Sequence, residues 1–144
     1  MIACIRHTGI VVKDLENSLD FWTEVLEFKL VKKMIEHGPK IDAMMGLKDV
    51  KVTTAKLSDK NGNMIELLKF HSHPSKKRWE GTAYSIGITH LALTVSSLDE
   101  ILNKCSEKGI FLENKSSIVS VKKPSGQHLI DKKVDSNQFL LNFS

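Results

Sequence analysis

Cysteine is nearly absent from this chain. Cys4 and Cys105 are the only two in 144 residues, and neither sits in a C-x-x-C or other metal-ligand spacing. A disulfide framework is thereby excluded, and both thiols read as reduced, buried small hydrophobes of a cytoplasmic protein. No apolar run approaches the ~20 residues of a membrane span, so no membrane partner is expected. Nor is a signal peptide, because Met1-Ile2-Ala3-Cys4 leads straight into a strand-like run. Concentrated positive charge is missing as well. The net charge is +4, but the lysines are scattered, and the densest group, Lys76-Lys77-Arg78, falls in a linker-like stretch. Nucleic-acid binding needs a basic face, ideally with aromatic platforms, so no nucleic-acid partner is expected. A positive rim that attracts an anionic small molecule stays compatible with this charge.

What is present is repetition. Ile5-Arg6-His7-Thr8-Gly9-Ile10-Val11-Val12 is echoed by Ile88-Thr89-His90-Leu91-Ala92-Leu93-Thr94-Val95. His7 and His90 lie 83 positions apart, and the same offset pairs Leu15 with Leu98, Glu16 with Asp99, Leu19 with Leu102 and Phe28 with Phe111. Two copies exclude a solenoid and suggest a duplicated module. A chain of this size buries roughly two thirds of its unfolded surface, enough to stand without staples.

Residues 5–12 read as a strand, with His7, Gly9 and Val11 on one face. Asp14 offers an N-cap for a helix from about Leu15 to Leu26, whose Leu15, Leu19, Trp22 and Leu26 recur at helical spacing. Phe28 to Lys32 and Val50 to Leu57 read as strands. Glu36 to Asp49 reads as a loop, its Met44-Met45-Gly46-Leu47 a possible cleft wall. Asp59 to Asn63 is a hairpin turn. It leads to a strand from Met64 to Phe70, with Met64, Glu66, Leu68 and Phe70 on one face. The stretch from His71 to Ser85 breaks the pattern, and Trp79 and Tyr84 would pin it to the body. The second half then gives a strand at Gly87 to Val95 and a helix from about Leu98 to Lys108, capped by Ser96 or Ser97 and ended by Gly109. Strands follow at Ser117 to Lys122, His128 to Val134 and Gln138 to Phe143. The order is βαβββ, twice.

His7, Glu66 and His90 carry the chemistry. A carboxylate on the inner face of an apolar strand is costly unless it pairs, with a lysine for example, or binds a metal. Imidazole and carboxylate together suit a divalent metal such as Zn, Ni, Fe or Mn. If the two modules face each other, these three groups converge, and three ligands with open positions describe a catalytic site rather than a closed structural one.

The duplicated βαβββ order, His7 on its opening strand, the run from Asp14 to Trp22, Val25-Leu26-Glu27-Phe28 and Asn61-Gly62-Asn63-Met64-Ile65-Glu66-Leu67 together resemble the vicinal oxygen chelate superfamily. That group includes glyoxalase I, methylmalonyl-CoA epimerase, extradiol dioxygenases and bleomycin- and fosfomycin-resistance proteins. The resemblance implies an α+β fold of two βαβββ modules forming paired curved mixed sheets around a central cleft, here 1–73 and 86–144 joined by a linker at 74–85. It implies three metal ligands, His7, Glu66 and His90, with Glu66 also catalytic. It puts Leu140 where a second glutamate belongs. Leucine can neither bind a metal nor move a proton, and an acid–base group gives about 10²–10⁴-fold in rate. Asn142, on the same side by parity, and His128 are weaker candidates, as are His71, His73 and Lys76 to Arg78 for holding an anion. His37 reads as solvated.

Function is expected to be a glyoxalase-like metal-dependent lyase or isomerase acting on a small oxygen-chelating substrate, in a homodimer. The alternatives are a non-catalytic resistance-type or ligand-binding protein and, third, an Fe(II) dioxygenase.

Overall fold

The computed structural model describes residues 1–73, 86–87 and 90–110, together with the backbone of 138–142. The expected strands at 117–122 and 128–134, His128, Trp79, Tyr84 and Lys76 to Arg78 lie outside the described residues. The chain divides into two units, Met1–Lys76 and Lys77–Ser144.

The first unit is built on a four-stranded sheet: β1 (Thr8–Val11), β2 (Lys29–His37), β3 (Lys51–Ser58) and β4 (Met64–Phe70), in the order β1-β4-β3-β2. β1 runs parallel to β4, and the other pairs are antiparallel. The β3–β4 turn closes on Asp59. Its backbone N–H donates to the Asn63 carbonyl, and its carboxylate accepts from the backbone N–H groups of Asn61 and Asn63 and from the Asn63 side chain.

The registers sort the side chains onto two faces. Leu57, Ala55 and Thr53 on β3 oppose Ile65, Leu67 and Lys69 on β4, and all but Lys69 are buried. Over this face lies α1 (Leu15–Asp20), tied down at its start by an ion pair from Lys33 Nζ to Glu16 at 2.6 Å. Asp14 caps α1 by accepting from the Asn17 N–H at 3.1 Å. The expected single helix to Leu26 is not what forms. From Phe21 to Val25 the chain widens into a π turn, closed by Leu26 N–H to the Phe21 carbonyl. One contributor is Thr23, whose hydroxyl donates to the Leu19 carbonyl at 2.9 Å and competes for the acceptor that the ordinary ladder uses. Trp22 and Val25 stay buried, and Trp22 meets Phe28 edge-on at 4.9 Å.

The segment read as a loop holds a second helix, α2 (Pro39–Met45). Gly38 at φ 94° precedes it and Gly46 at φ 64° ends it, both in the region that favours glycine. The Asp42 carboxylate accepts from the backbone N–H of Asp49 and of Val50, which fixes the left-handed Asp49. α2 covers one end of the opposite sheet face, where Ile41, Val50, Val52 and Leu68 form a cluster flanked by Met45 and Phe70. β2 is also longer than expected. It reaches His37, with a bulge at Val31 between Leu30 and Lys32.

In the second unit, β5 (His90–Thr94) leads to α3 (Leu98–Glu107). Ser97 supplies the cap, its hydroxyl accepting from the Glu100 N–H at 3.2 Å, and Gly109 at φ 65° follows the end. β6 (Gln138–Asn142) pairs with β5 antiparallel. The strand–helix order of the first unit is therefore repeated, but the pairing is not: β1 runs parallel to the last strand of its unit, and β5 antiparallel to β6. One thiol also departs from expectation. Cys105 is buried on α3, but Cys4 precedes the first strand and is exposed.

Candidate metal centre

The site face of the first unit follows from the ladders. Gly9 sits directly opposite Glu66, and Val11 opposite Leu68. Lys56 opposes Glu66 from the other side, and Thr54 opposes Leu68. α2 covers the Leu68 end of this face, while the Glu66 end has neither described helix of the unit over it. Glu66 is thus a carboxylate in mid-strand, between buried Ile65 and Leu67 that point the other way.

Two groups meet it. His7 Nε2 lies 3.1 Å from Oε2, and Lys56 Nζ lies 3.5 Å from Oε1. His7 reaches Glu66 on the diagonal, from just before β1, because the residue directly opposite Glu66 is Gly9 and puts no side chain in the way. The Glu66 side chain is 13% exposed, and those of His7 and Lys56 are each 34% exposed.

The donor chemistry of His7 and Glu66 suits a divalent cation. Two adjacent ligands each about 2.1 Å from one ion stand about 3.0 Å apart at a right angle and about 3.4 Å apart in a tetrahedron, and the 3.1 Å seen falls in that range. Among the described residues no group of three or more His, Cys, Asp or Glu side chains that could hold a metal ion comes together, and His7 and Glu66 are a pair of candidate donors. Lys56 lies near the other oxygen, at 3.5 Å.

His90 opens β5 in the second unit and is exposed. The ladder sets Asn142, not Leu140, directly opposite it, and Leu140 opposite Ala92. His71 belongs elsewhere. Its Nε2 is 2.7 Å from the Thr53 hydroxyl, on the α1-covered face, beside a hollow of about 470 Å³ whose lining includes Asp14, Glu16, Lys33 and Lys69. That hollow is not the Glu66 site: Lys33 is spent on Glu16, and Lys69 donates to the Lys13 carbonyl. His37 is exposed, and Met45 packs at the α2-covered end of the site face. Lys56 is the site residue that sequence reasoning did not name. Its signal was parity: alternation from Val52 puts Val52, Thr54, Lys56 and Ser58 on one face, and Lys56 is the only charge there.

A histidine just before β1, a capped helix, and a closing strand with an inward glutamate parallel to β1 make up the first unit. The model of the glyoxalase/bleomycin resistance protein/dioxygenase superfamily matches residues 5–135. The chain belongs to that superfamily. Among its relatives is the uncharacterized protein YwkD of Bacillus subtilis (strain 168), 30% identical over 116 residues, 78% of this chain and 77% of YwkD. YurT of the same organism is 30% identical over 103 residues, 72% of each chain. In fold the chain is similar to a glyoxalase family protein from Bacillus cereus, with a TM-score of 0.67 at 22% identity over 76% of this chain and 74% of that one. The vicinal oxygen chelate fold, an α+β fold with a curved mixed sheet, is thus the frame that carries Glu66. No helix among the described residues is long and apolar enough to cross a membrane.

Proposed function

We propose that the chain is a glyoxalase-type metal-dependent lyase or isomerase acting on a small oxygen-chelating substrate, with His7, Glu66 and His90 as metal ligands. The observation that carries this reading is the 3.1 Å approach of His7 to Glu66 on the open half of the site face. A bound divalent cation, Zn, Ni, Fe or Mn, would act as a Lewis acid on two neighbouring substrate oxygens. The two oxygens of Glu66 are differently placed for the remaining work. Oε2, beside His7, would be the ligand atom. Oε1, on the Lys56 side, would be left to accept and return the substrate's C–H proton. His90 completes the set from the second module if 1–73 and 86–144, joined through 74–85, face each other across one cleft. We place the protein in the cytoplasm, as a homodimer.

A second reading, a non-catalytic resistance-type or ligand-binding protein, is favoured by two features: Leu140 in place of a second carboxylate, and an ammonium next to Glu66 where a purely catalytic carboxylate would be kept free. Metal analysis separates them. Protein prepared without chelator is expected to hold about one equivalent of metal, lost in His7→Ala and in His90→Ala. Failure to bind nickel, zinc, iron or manganese at saturation would overturn the enzymatic reading. Proton exchange at an α-carbon, followed by NMR over hydroxyketones and acyl thioesters, then separates catalysis from binding.

A further inference from the structure

The face that carries His7 and Glu66 also carries two lysines set directly across a ladder. Lys32 on β2 opposes Lys56 on β3, and cross-strand partners share a face. Like charges in that position destabilise a sheet, so the arrangement calls for a reason. Lys56 relieves part of the repulsion by leaning toward Glu66. At 3.5 Å, however, this contact is longer than the roughly 2.7–2.9 Å of a charge-assisted hydrogen bond. An ammonium has three donors, and Glu66 does not exhaust them. The Lys32 side chain has no hydrogen bond or ion pair among the described residues. The contrast with the other face is sharp: there Lys33 and Lys69 each hold an oxygen partner at 2.6 Å. Two lysines are consumed by the fold, and two are left facing the candidate site.

We propose that Lys32 and Lys56 form an anion-binding pair, and that the substrate carries a compact anionic group, a carboxylate or a phosphoryl group, beside the oxygens engaged near His7 and Glu66. The lysine pair rests on its own ladder, and only its link to the substrate oxygens rests on the metal-site reading. The two sites are coupled through Glu66. A cation on the Oε2 side would take up the carboxylate charge and would free Lys56 to turn toward the anion. Cation and anion then strengthen each other's binding by the same factor, as linkage requires.

The test uses the full chain with inorganic phosphate as the anion and Mn(II) as the metal. In the metal-free protein, phosphate is expected to move the backbone amide signals of residues 32 and 54–57 saturably in NMR. Lys56→Gln should weaken this binding about tenfold or more, and Lys32→Gln several-fold. Lys56→Arg should retain it, and Lys33→Gln, an equal charge change on the opposite face, should leave it unchanged. Thermal melts check that each variant is folded. No saturable binding, or equal weakening by Lys33→Gln and Lys56→Gln, overturns the proposal. Mn(II) affinity, read by electron paramagnetic resonance, should rise with phosphate in the wild type and not in Lys56→Gln. The two readings fail separately. Phosphate binding that depends on Lys56, with Mn(II) indifferent to His7→Ala, sinks the metal site and keeps the lysine pair. Mn(II) binding lost in His7→Ala, with phosphate indifferent to Lys56→Gln, does the reverse.

Discussion

Replacing Glu66 by leucine should leave the metal-free protein about as stable and should remove its response to metal. Glu66 already buries its methylenes, being 13% exposed. Leucine therefore adds about two buried carbon groups, worth about 1.5 kcal/mol at about 0.8 kcal/mol each. The loss is two ion pairs whose other partners are 34% exposed. Pairs so open to water contribute about 1 kcal/mol or less each, and His7 and Lys56 can be hydrated once released. The balance runs from about 0.5 kcal/mol against leucine to about 1.5 kcal/mol in its favour, close to neutral as expected where a side chain is kept for function rather than stability. Metal separates the two proteins. At a hundred times its Kd a ligand stabilises the wild type by about 2.7 kcal/mol, or about 8 °C at roughly 3 °C per kcal/mol for a chain of this size, and Glu66→Leu should gain nothing. Melting curves of the two proteins should therefore lie close together in chelator and separate in excess Mn(II). The reasoning is refuted if the wild type shows no rise with metal, or if the variant shows the same rise. A loss of more than about 3 kcal/mol by the variant in chelator would instead make Glu66 a structural ion-pair residue.

Three further outcomes are expected. Asp14→Ala removes the acceptor for the Asn17 N–H and should cost about 1 kcal/mol in urea denaturation. In Asp59, burial pushes the carboxyl up, but hydrogen bonds from the Asn63 side chain and from the backbone of Asn63, Asn61 and Gly62 outweigh it and hold the group below its ordinary 3.8. A depressed folded value means stability that is present above pH 3.8 and lost as pH falls through the folded value. Asp59→Asn should therefore be less stable than the wild type at pH 7, by an amount that shrinks on acidification to below pH 3, as urea melts at the two pH values will show. Burial pushes the Cys105 thiol up from its ordinary 9.0, whereas Cys4 is exposed. Alkylation followed by mass spectrometry should label Cys4 in the native protein and Cys105 only after unfolding.

Much of the first unit was legible in the sequence because its signals are local. The closing strand has the bounds that alternation predicts, Met64 to Phe70, and the Asp59 turn and Asp14 cap act within a few residues. α2 was missed although Gly38-Pro39 and Gly46 bracket it with the usual start and stop residues; its seven residues are too few for a periodic stripe to stand out. β2 runs on to His37, five residues past the expected end at Lys32, and the bulge at Val31 gives its two ends opposite parities, so no single alternation spans it. His7 and Glu66 could be named from the pattern, but their meeting depends on the parallel β1–β4 ladder and on Gly9, a pairing across more than fifty residues that no local signal encodes. Lys56 was legible only as the general possibility of a lysine partner. The antiparallel β5–β6 pairing could not be read either, since a sequence repeat promises like elements but not like ladders.

The bulge at Val31 has a bearing on how mutagenesis of this protein will look. Past the extra residue, ordinary alternation sends the neighbours Lys32 and Lys33 to opposite sides of the sheet, one toward Lys56 and one onto Glu16. A scan that treats this dibasic step as interchangeable surface charge would average two unrelated effects. Deleting Val31 would close the bulge into a regular ladder and leave Lys32 opposite Lys56 and Lys33 opposite Ala55, so both lysines would keep their places. Selection acting on one of these lysines is thus nearly blind to the other, and the two can diverge independently.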